Sequence, residues 1–231
     1  IPRKPGMSRD DLLLTNAKII TSVVKETVEL NPNAILIIVS NPLDAMVYTA
    51  LKASGFPRNR VIGMAGILDS SRMEHFILEK LQDSTALVKA SVMGGHGDDM
   101  VPLSNFSTVN GKKLEDVLSQ DDIEDIITKT KKGGAQIVAL LGNGSAYYAP
   151  AYSTAIMVEA ILSDSQEVYP CAISLEGEYS HTNVVAGVPL VLGKDGAKEI
   201  KILELNNLQK EQFEKSVNSV KELISTIEKN L

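Results

Sequence analysis

The sequence holds one cysteine, Cys171, in 231 residues. A lone thiol excludes an intrachain disulfide framework and suits a reducing compartment, so the chain is expected in the cytoplasm. No apolar run approaches the roughly 18 residues that a bilayer span needs, and no membrane role is expected. Positive charge is not in excess either. The 23 Lys and Arg against 29 Asp and Glu leave a formal net charge of −6, whereas nucleic-acid binding wants a basic face. Internal repeats and low-complexity linkers are missing. So are three short motifs with defined chemistry: the HxxxH or CxxC spacing of metal sites, the GxSxG elbow of serine hydrolases and the GxGxxG loop that seats a dinucleotide pyrophosphate. Ser145 therefore has no support as a nucleophile, and His75 and His181 take no role. The chain opens on Ile1 rather than Met, which reads as a natural start that is missing or processed, with any targeting segment lost beyond it.

What is present is an ordinary globular balance, 44% apolar and 23% charged, long enough for one large domain or two small ones. The first half alternates helical and strand patterns. Residues 12–30 have helical spacing and end at Asn31-Pro32-Asn33, a turn signal. Residues 34–39 are continuously apolar and largely β-branched, as a parallel strand covered on both faces would be. A helix is predicted from after Pro42 to about Ser54, a strand over 60–64 and a helix over 68–81. This order implies an α/β fold with a parallel sheet and right-handed crossovers. The second half changes character. Helices are expected over 121–141 and 146–162, then strands over 168–175, 184–192 and 199–205, with Lys194-Asp195-Gly196 as a hairpin turn. A closing helix carries Phe213, Val217, Val220, Ile224 and Ile227 as one apolar stripe, expected to face the core. Asn206 and Gln209 resemble a capping pair at its start.

The most informative stretch is Met93-Gly94-Gly95-His96-Gly97-Asp98-Asp99. It follows a strand-like segment, 86–92, and sets an imidazole in a glycine-rich loop where a proton can be exchanged near neutral pH. Upstream, Leu68-Asp69-Ser70-Ser71-Arg72 offers a carboxylate and a guanidinium three residues apart, hence on one helical face. Read blandly, Asp69 and Arg72 are a surface ion pair of little worth. Read with His96, they supply an acid to orient the imidazole and an arginine to recognise an anion. A metal site at His96, Asp98 and Asp99 lacks further ligands at usable spacing. Arg3 and Arg9 lie on a Pro- and Gly-containing segment that could close over an anionic substrate. Asn41 ends the apolar strand, the edge where open α/β sheets bind ligands. Lys129, Lys131 and Lys132 read as a solvated helix end beside Gly133-Gly134.

In this order, IPRKPGMSRDDLL, NPNAILIIVSNPLDAM, SGFPRNRVIGMAGILDSSR, VMGGHGDDMVPL, GSAYYAPA and GVPLVLG resemble the malate dehydrogenases of the lactate-dehydrogenase-like type, over nearly the whole chain. The resemblance implies that residues 1–66 are the C-terminal part of a Rossmann dinucleotide-binding domain and that 67–231 form an α+β substrate domain. It implies NAD as cofactor, a homodimer or homotetramer, and reversible oxidation of malate to oxaloacetate by hydride transfer. By the same resemblance His96 is the acid/base, Asp69 holds it, and Arg72 takes the C1 carboxylate. Arg9 and Asn41 bind the reacting oxygen, while Asn16, Val39, Ser40 and Asn41 touch the cofactor. Arg3 would select a dicarboxylate, since lactate enzymes carry glutamine there, and Ala146 leaves room where they carry threonine. An arginine left without its carboxylate would be partly desolvated, a strong basis for rejecting pyruvate.

Ser71, Gln136 and the Glu178-Tyr179-Ser180-His181 turn depart from the family pattern without touching a site residue. The phosphate loop would precede Ile1, so this chain alone is expected to be inactive or nearly so while a parent containing the loop is active. The alternatives are a dehydrogenase for lactate or another 2-hydroxy acid, and a non-catalytic piece that serves only in oligomer formation.

Overall fold

The computed structural model describes residues 8–142 and 146–230. Helix α1 (Arg9–Leu30) begins at a capping box: the Ser8 hydroxyl accepts from the Asp11 N–H, and the Asp11 carboxylate accepts from the Ser8 N–H, each at 3.0 Å. Strand β1 (Leu36–Ile38) leads into α2 (Leu43–Ser54), which Gly55 ends in the left-handed conformation. Strand β2 (Val61–Gly63) pairs with β1 in parallel, Leu36 against Val61, and runs into α3 (Gly66–Leu81).

The parallel pairing matches the expectation for 34–39, but coverage on both faces does not. Leu36 and Ile37 are only half-buried, because β1 is an edge strand of its five-stranded sheet among the described residues. Beyond β2 the sheet turns antiparallel. Gly63 pairs with Ala172 of β8 (Val168–Glu176), and β8 pairs along its length with β9 (Thr182–Gly193). Gly63 is required there. A Cβ would come within 2.6 Å of Val47 Cγ2, so its absence lets α2 lie flush on the sheet.

The segment 86–92 is not one strand. It splits into β3 (Val88–Lys89) and β4 (Val92–Met93), which belong to different sheets. Between them the Ala90 N–H donates to Glu74 of α3 at 3.1 Å, so a side chain takes the place of a ladder partner. Strand β4 pairs with β5 (Val101–Pro102), and β3 pairs with β6 (Thr108–Val109), which pairs with β7 (Lys112–Lys113). The loop carrying His96 is thus the link between the paired strands β4 and β5.

Helix α4 (Gln120–Leu141) is capped by Ser119 and covers the helix expected over 121–141, so Lys129, Lys131 and Lys132 lie within it rather than at a helix end beside Gly133-Gly134. Helix α5 spans Tyr148–Leu162. The predicted hairpin at Lys194-Asp195 forms, but its second strand, β10, is Gly196–Ile200 rather than 199–205. A two-residue turn sets pairing at once, Gly196 opposite Gly193, and the Lys201 N–H makes the last rung to the Pro189 oxygen at 2.8 Å. Past that point the β9 edge is taken. Gly94 and Gly187 exchange both backbone hydrogen bonds at 2.9 Å, docking the histidine loop onto the sheet. A Cβ on Gly187 would lie 2.7 Å from the Gly94 oxygen, so glycine is needed for this approach.

Helix α6 (Asn207–Asn230) covers the sheet with its five-residue stripe, every member buried, as expected of a core-facing helix. Each such side chain contributes about 1.5–3 kcal/mol. Asn206 and Gln209 cap it reciprocally, at 3.1 and 2.9 Å. One core lies between the five-stranded sheet and α1, α2 and α6, and a second fills the space under α3 and α4 around Met73, Ile77, Ile123 and Ile126. The site lies where the two meet.

Candidate active site

Asp69 stands in the first turn of α3, buried to 2% exposure, with its carboxylate divided between a guanidinium and an imidazole. Oδ1 accepts from Arg72 Nη1 and Oδ2 meets His96 Nδ1, both at 2.8 Å. The bland surface-pair reading of Asp69 and Arg72 fails here, since the Arg72 side chain is only 13% exposed. A buried carboxylate without partners would cost several kcal/mol, and it has two. With Nδ1 committed to Asp69, Nε2 is the ring nitrogen left for a substrate.

Burial pulls the His96 pKa down, but the charge and hydrogen bond of Asp69, assisted by the charge of Asp44, more than offset it. Arg72 opposes them, and the net direction is upward. The imidazolium is therefore favoured relative to a free histidine, which suits a group that must hold a proton while a substrate is reduced.

The loop is pinned by its main chain. The Gly95 N–H donates to Ser216 Oγ of α6, and the His96 N–H donates to Asp44 Oδ2 of α2, each at 2.8 Å. Sequence reasoning missed both partners. The available signal for Asp44 is an acid in the first turn of a helix beginning just after Asn41; for Ser216 there is none beyond a small polar residue within an apolar stripe.

His96 and Arg72 open onto a cleft of about 550 Å³. Asn16, Val39, Ser40, Asn41 and Ala146 line it too, so these predicted residues are brought together. Asn16 Nδ2 donates to the Asn41 oxygen at 2.8 Å, tying α1 to the end of β1. Ile19, Ile20, Val39 and Met64 add an apolar wall. That wall beside an amide-bearing strand end fits a flat, weakly polar ring such as a nicotinamide. Lys131, expected on a solvated helix end, lines the cleft instead, because α4 continues past it. Gly134 lies against the Arg72 guanidinium, where a Cβ would sit 3.5 Å from Nη1.

Arg9 is not brought to this group. It is exposed on the first turn of α1 and lies outside the cleft lining. Arg3 lies outside the described residues, as does Ser145. His75 packs on Phe76 and His181 pairs with Glu214 at 3.1 Å; neither lines the cleft. Among the described residues no group of three or more metal-capable side chains occurs, and no helix is long and apolar enough to cross a membrane.

This geometry has counterparts. Residues 1–63 match the NAD binding domain of lactate/malate dehydrogenase, and residues 67–231 match the alpha/beta C-terminal domain of the same family. The malate dehydrogenase of Aliarcobacter butzleri is 60% identical over 230 residues, all of this chain and 73% of that protein. The apo malate dehydrogenase of Picrophilus torridus superposes with a TM-score of 0.95 at 43% identity, covering 99% of this chain and 72% of that one. The lactate dehydrogenase of Eimeria maxima, solved with NADH and oxamate, gives a TM-score of 0.93 at 38% identity, over 99% and 71%. With the His96–Asp69–Arg72 group in its cleft and domain models matching residues 1–63 and 67–231, this chain is a member of the lactate/malate dehydrogenase family.

Proposed function

We propose that the protein is an NAD-dependent malate dehydrogenase, interconverting malate and oxaloacetate. The observation that carries the chemistry is the single Asp69 carboxylate bound to both His96 Nδ1 and Arg72 Nη1. NAD is the cofactor that the matched binding domain indicates. Malate is preferred over lactate on the similarity to malate dehydrogenases at 50–60% identity and on Arg3, whose role rests on the family resemblance.

The Arg72 guanidinium receives the C1 carboxylate from the floor of the cleft, and its planar fork fixes the substrate's rotation. His96 Nε2 then faces the C2 oxygen. In the oxidation direction it removes the hydroxyl proton, and Asp69 stabilises the imidazolium that forms. In reduction the same nitrogen returns the proton to the carbonyl oxygen. Asn41 hydrogen-bonds that oxygen, and Arg9, on the first turn of α1, is assigned to polarise it on the family resemblance alone. Arg3 pairs with the second carboxylate, and Ala146 leaves room for it. The nicotinamide, when bound, supplies the hydride acceptor for C2. Asn16, Val39, Ser40 and Asn41 would hold it in the cleft, and the apolar wall would keep water from the reacting carbon.

The division at residue 66 follows the same reading, with residues 1–66 serving the cofactor and 67–231 the substrate. We assign the cytoplasm as the compartment, supported by the buried, unpaired Cys171, whose thiol burial pushes up and so keeps unreactive. A homodimer or homotetramer is supported by apolar side chains left exposed along α5, among them Tyr148, Tyr152 and Leu162.

The test is direct transfer, assayed on the protein as its source organism produces it. With oxaloacetate and NADH deuterated on the transferred face, the product hydroxy acid should carry deuterium at C2. Deuterium at C2 with a turnover dependent on His96 supports the reading. No NADH consumption above the blank in a folded sample overturns it.

A further inference from the structure

Asp44 takes no part in the mechanism above, yet it is among the least accessible charged residues, at 4% exposure. Oδ2 accepts the His96 N–H at 2.8 Å. Oδ1 is buried and has no hydrogen-bond partner among the described residues. A carboxylate is a costly way to hold one backbone N–H. The adjacent N–H, that of Gly95, is held as closely by the neutral hydroxyl of Ser216. If pinning the loop were the whole task, a second neutral acceptor would serve without an orphaned oxygen. What the carboxylate adds is negative charge directly behind the imidazole.

Space around it is tight enough to fix that charge in place. A Cβ on Gly95 would come 3.3 Å from Asp44 Oδ2 and 3.0 Å from Val220 Cγ2, and one on Gly94 would strike Ser216 Oγ at 2.6 Å. The loop therefore packs closely against Asp44 and α6. Helix α2, which carries Asp44, starts two residues after Asn41, so this charge follows closely on the strand end that lines the cleft.

We infer that Asp44 is a second positioning residue for the proposed reaction, holding His96 through its main chain and favouring its protonated imidazole from behind, with Asp69 doing so from the side. This rests on the dehydrogenase reading for its enzymatic consequence, though not for its electrostatics. The charged groups facing His96 are Asp69 and Arg72 from α3 and Asp44 from α2, with Asp98 of the loop and Lys131 of α4 lining the same cleft. Those facing Asp44 are His96 and Asp69; its α6 neighbours, Ser216 and Val220, are neutral. Burial lifts the Asp44 carboxyl to about 6 against the lowering effect of the His96 N–H, so its charge is present above that pH and the two groups titrate as a coupled pair.

The experiment is a titration of the His96 ring by nuclear magnetic resonance, assigned by the signal that His96→Asn removes. In Asp44→Asn the N–H acceptor is kept and the charge is lost, so the His96 midpoint should fall by about one pH unit. The alkaline limb of oxaloacetate reduction, which needs the imidazolium, should move to lower pH by the same amount. Ser216→Ala loosens the loop without removing charge and should leave both midpoints in place. An unchanged His96 midpoint in Asp44→Asn overturns the inference. Should that variant fail to fold, the wild-type protein decides: with carboxyl-labelled aspartate, Asp44 and His96 must titrate in shared, two-step curves, and independent single steps overturn it. Absence of oxaloacetate turnover in the wild type would instead count against the dehydrogenase reading, while the ring titration stays readable.

Discussion

The central device is one carboxylate serving a guanidinium and an imidazole. Because Asp69 holds Nδ1, replacing it by Asn leaves the ring packed but removes the charge and presents either an amide donor or a neutral oxygen to that nitrogen. Turnover of Asp69→Asn should fall about 10²–10³-fold, read from the single-turnover hydride step; a loss below threefold would remove Asp69 from the mechanism. His96→Asn should cost as much or more, while oxamate still binds at Arg72 with nearly wild-type affinity by calorimetry. Parallel losses in both measurements would make His96 a structural residue. These three residues were legible in the sequence because spacing put Asp69 and Arg72 on one helical face and glycines flanked His96. Asp44 was not, since its contact runs from a side chain to a backbone N–H 52 residues away, and no residue type marks a backbone donor.

Among the elements, long helices were the most legible, since apolar periodicity over many turns is a strong signal. Short strands were the least. The segment 86–92 looks uniformly strand-like, yet Glu74 intercepts one N–H and the chain changes sheets. The 199–205 expectation failed because Gly94 already occupies the edge that β10 would have followed. Arg58 illustrates how elements are joined: it donates to the Ser174 oxygen of β8 at 2.9 Å and grips Glu178 through both terminal nitrogens, at 3.1 and 2.8 Å. The Arg58 hydrogen bond holds the Glu178 carboxyl at about 2, below its ordinary 4.5. Its stabilisation is therefore present above pH 4.5 and lost as pH falls toward about 2. Allowing for solvent screening, Arg58→Met should cost about 1–2 kcal/mol at pH 7. Its deficit in urea melts should shrink between pH 4.5 and 2, and a deficit constant with pH would refute the assignment. Ile224→Ala, on the buried stripe of α6, should cost about 2–4 kcal/mol at any pH; a loss under 0.5 kcal/mol by the same melts would place that stripe outside the core.

Taken whole, the molecule builds its site at a seam. The parallel pair β1–β2 brings the strand end that lines the cleft, and α3, entered three residues after β2, brings Asp69 and Arg72. The antiparallel strands β8 and β9 continue the same sheet and supply Gly187, on which the histidine loop docks. A sequence reading sees the two halves as different in character, and they are. It cannot see the shared sheet, because a single β2–β8 rung, Gly63 to Ala172, joins them across more than 100 residues. The exposed apolar side chains of α5 bear on assembly, and sedimentation should give a mass of two or four chains, with a monomer ruling out the homo-oligomer.

The measurement closest to the central claim is the ratio of kcat/KM for oxaloacetate to that for pyruvate, with NADH, on one preparation of the protein as its source organism produces it. A second carboxylate paired with arginine predicts a preference for oxaloacetate on the order of 10³–10⁴-fold. A ratio near one, or a preference for pyruvate, would contradict it.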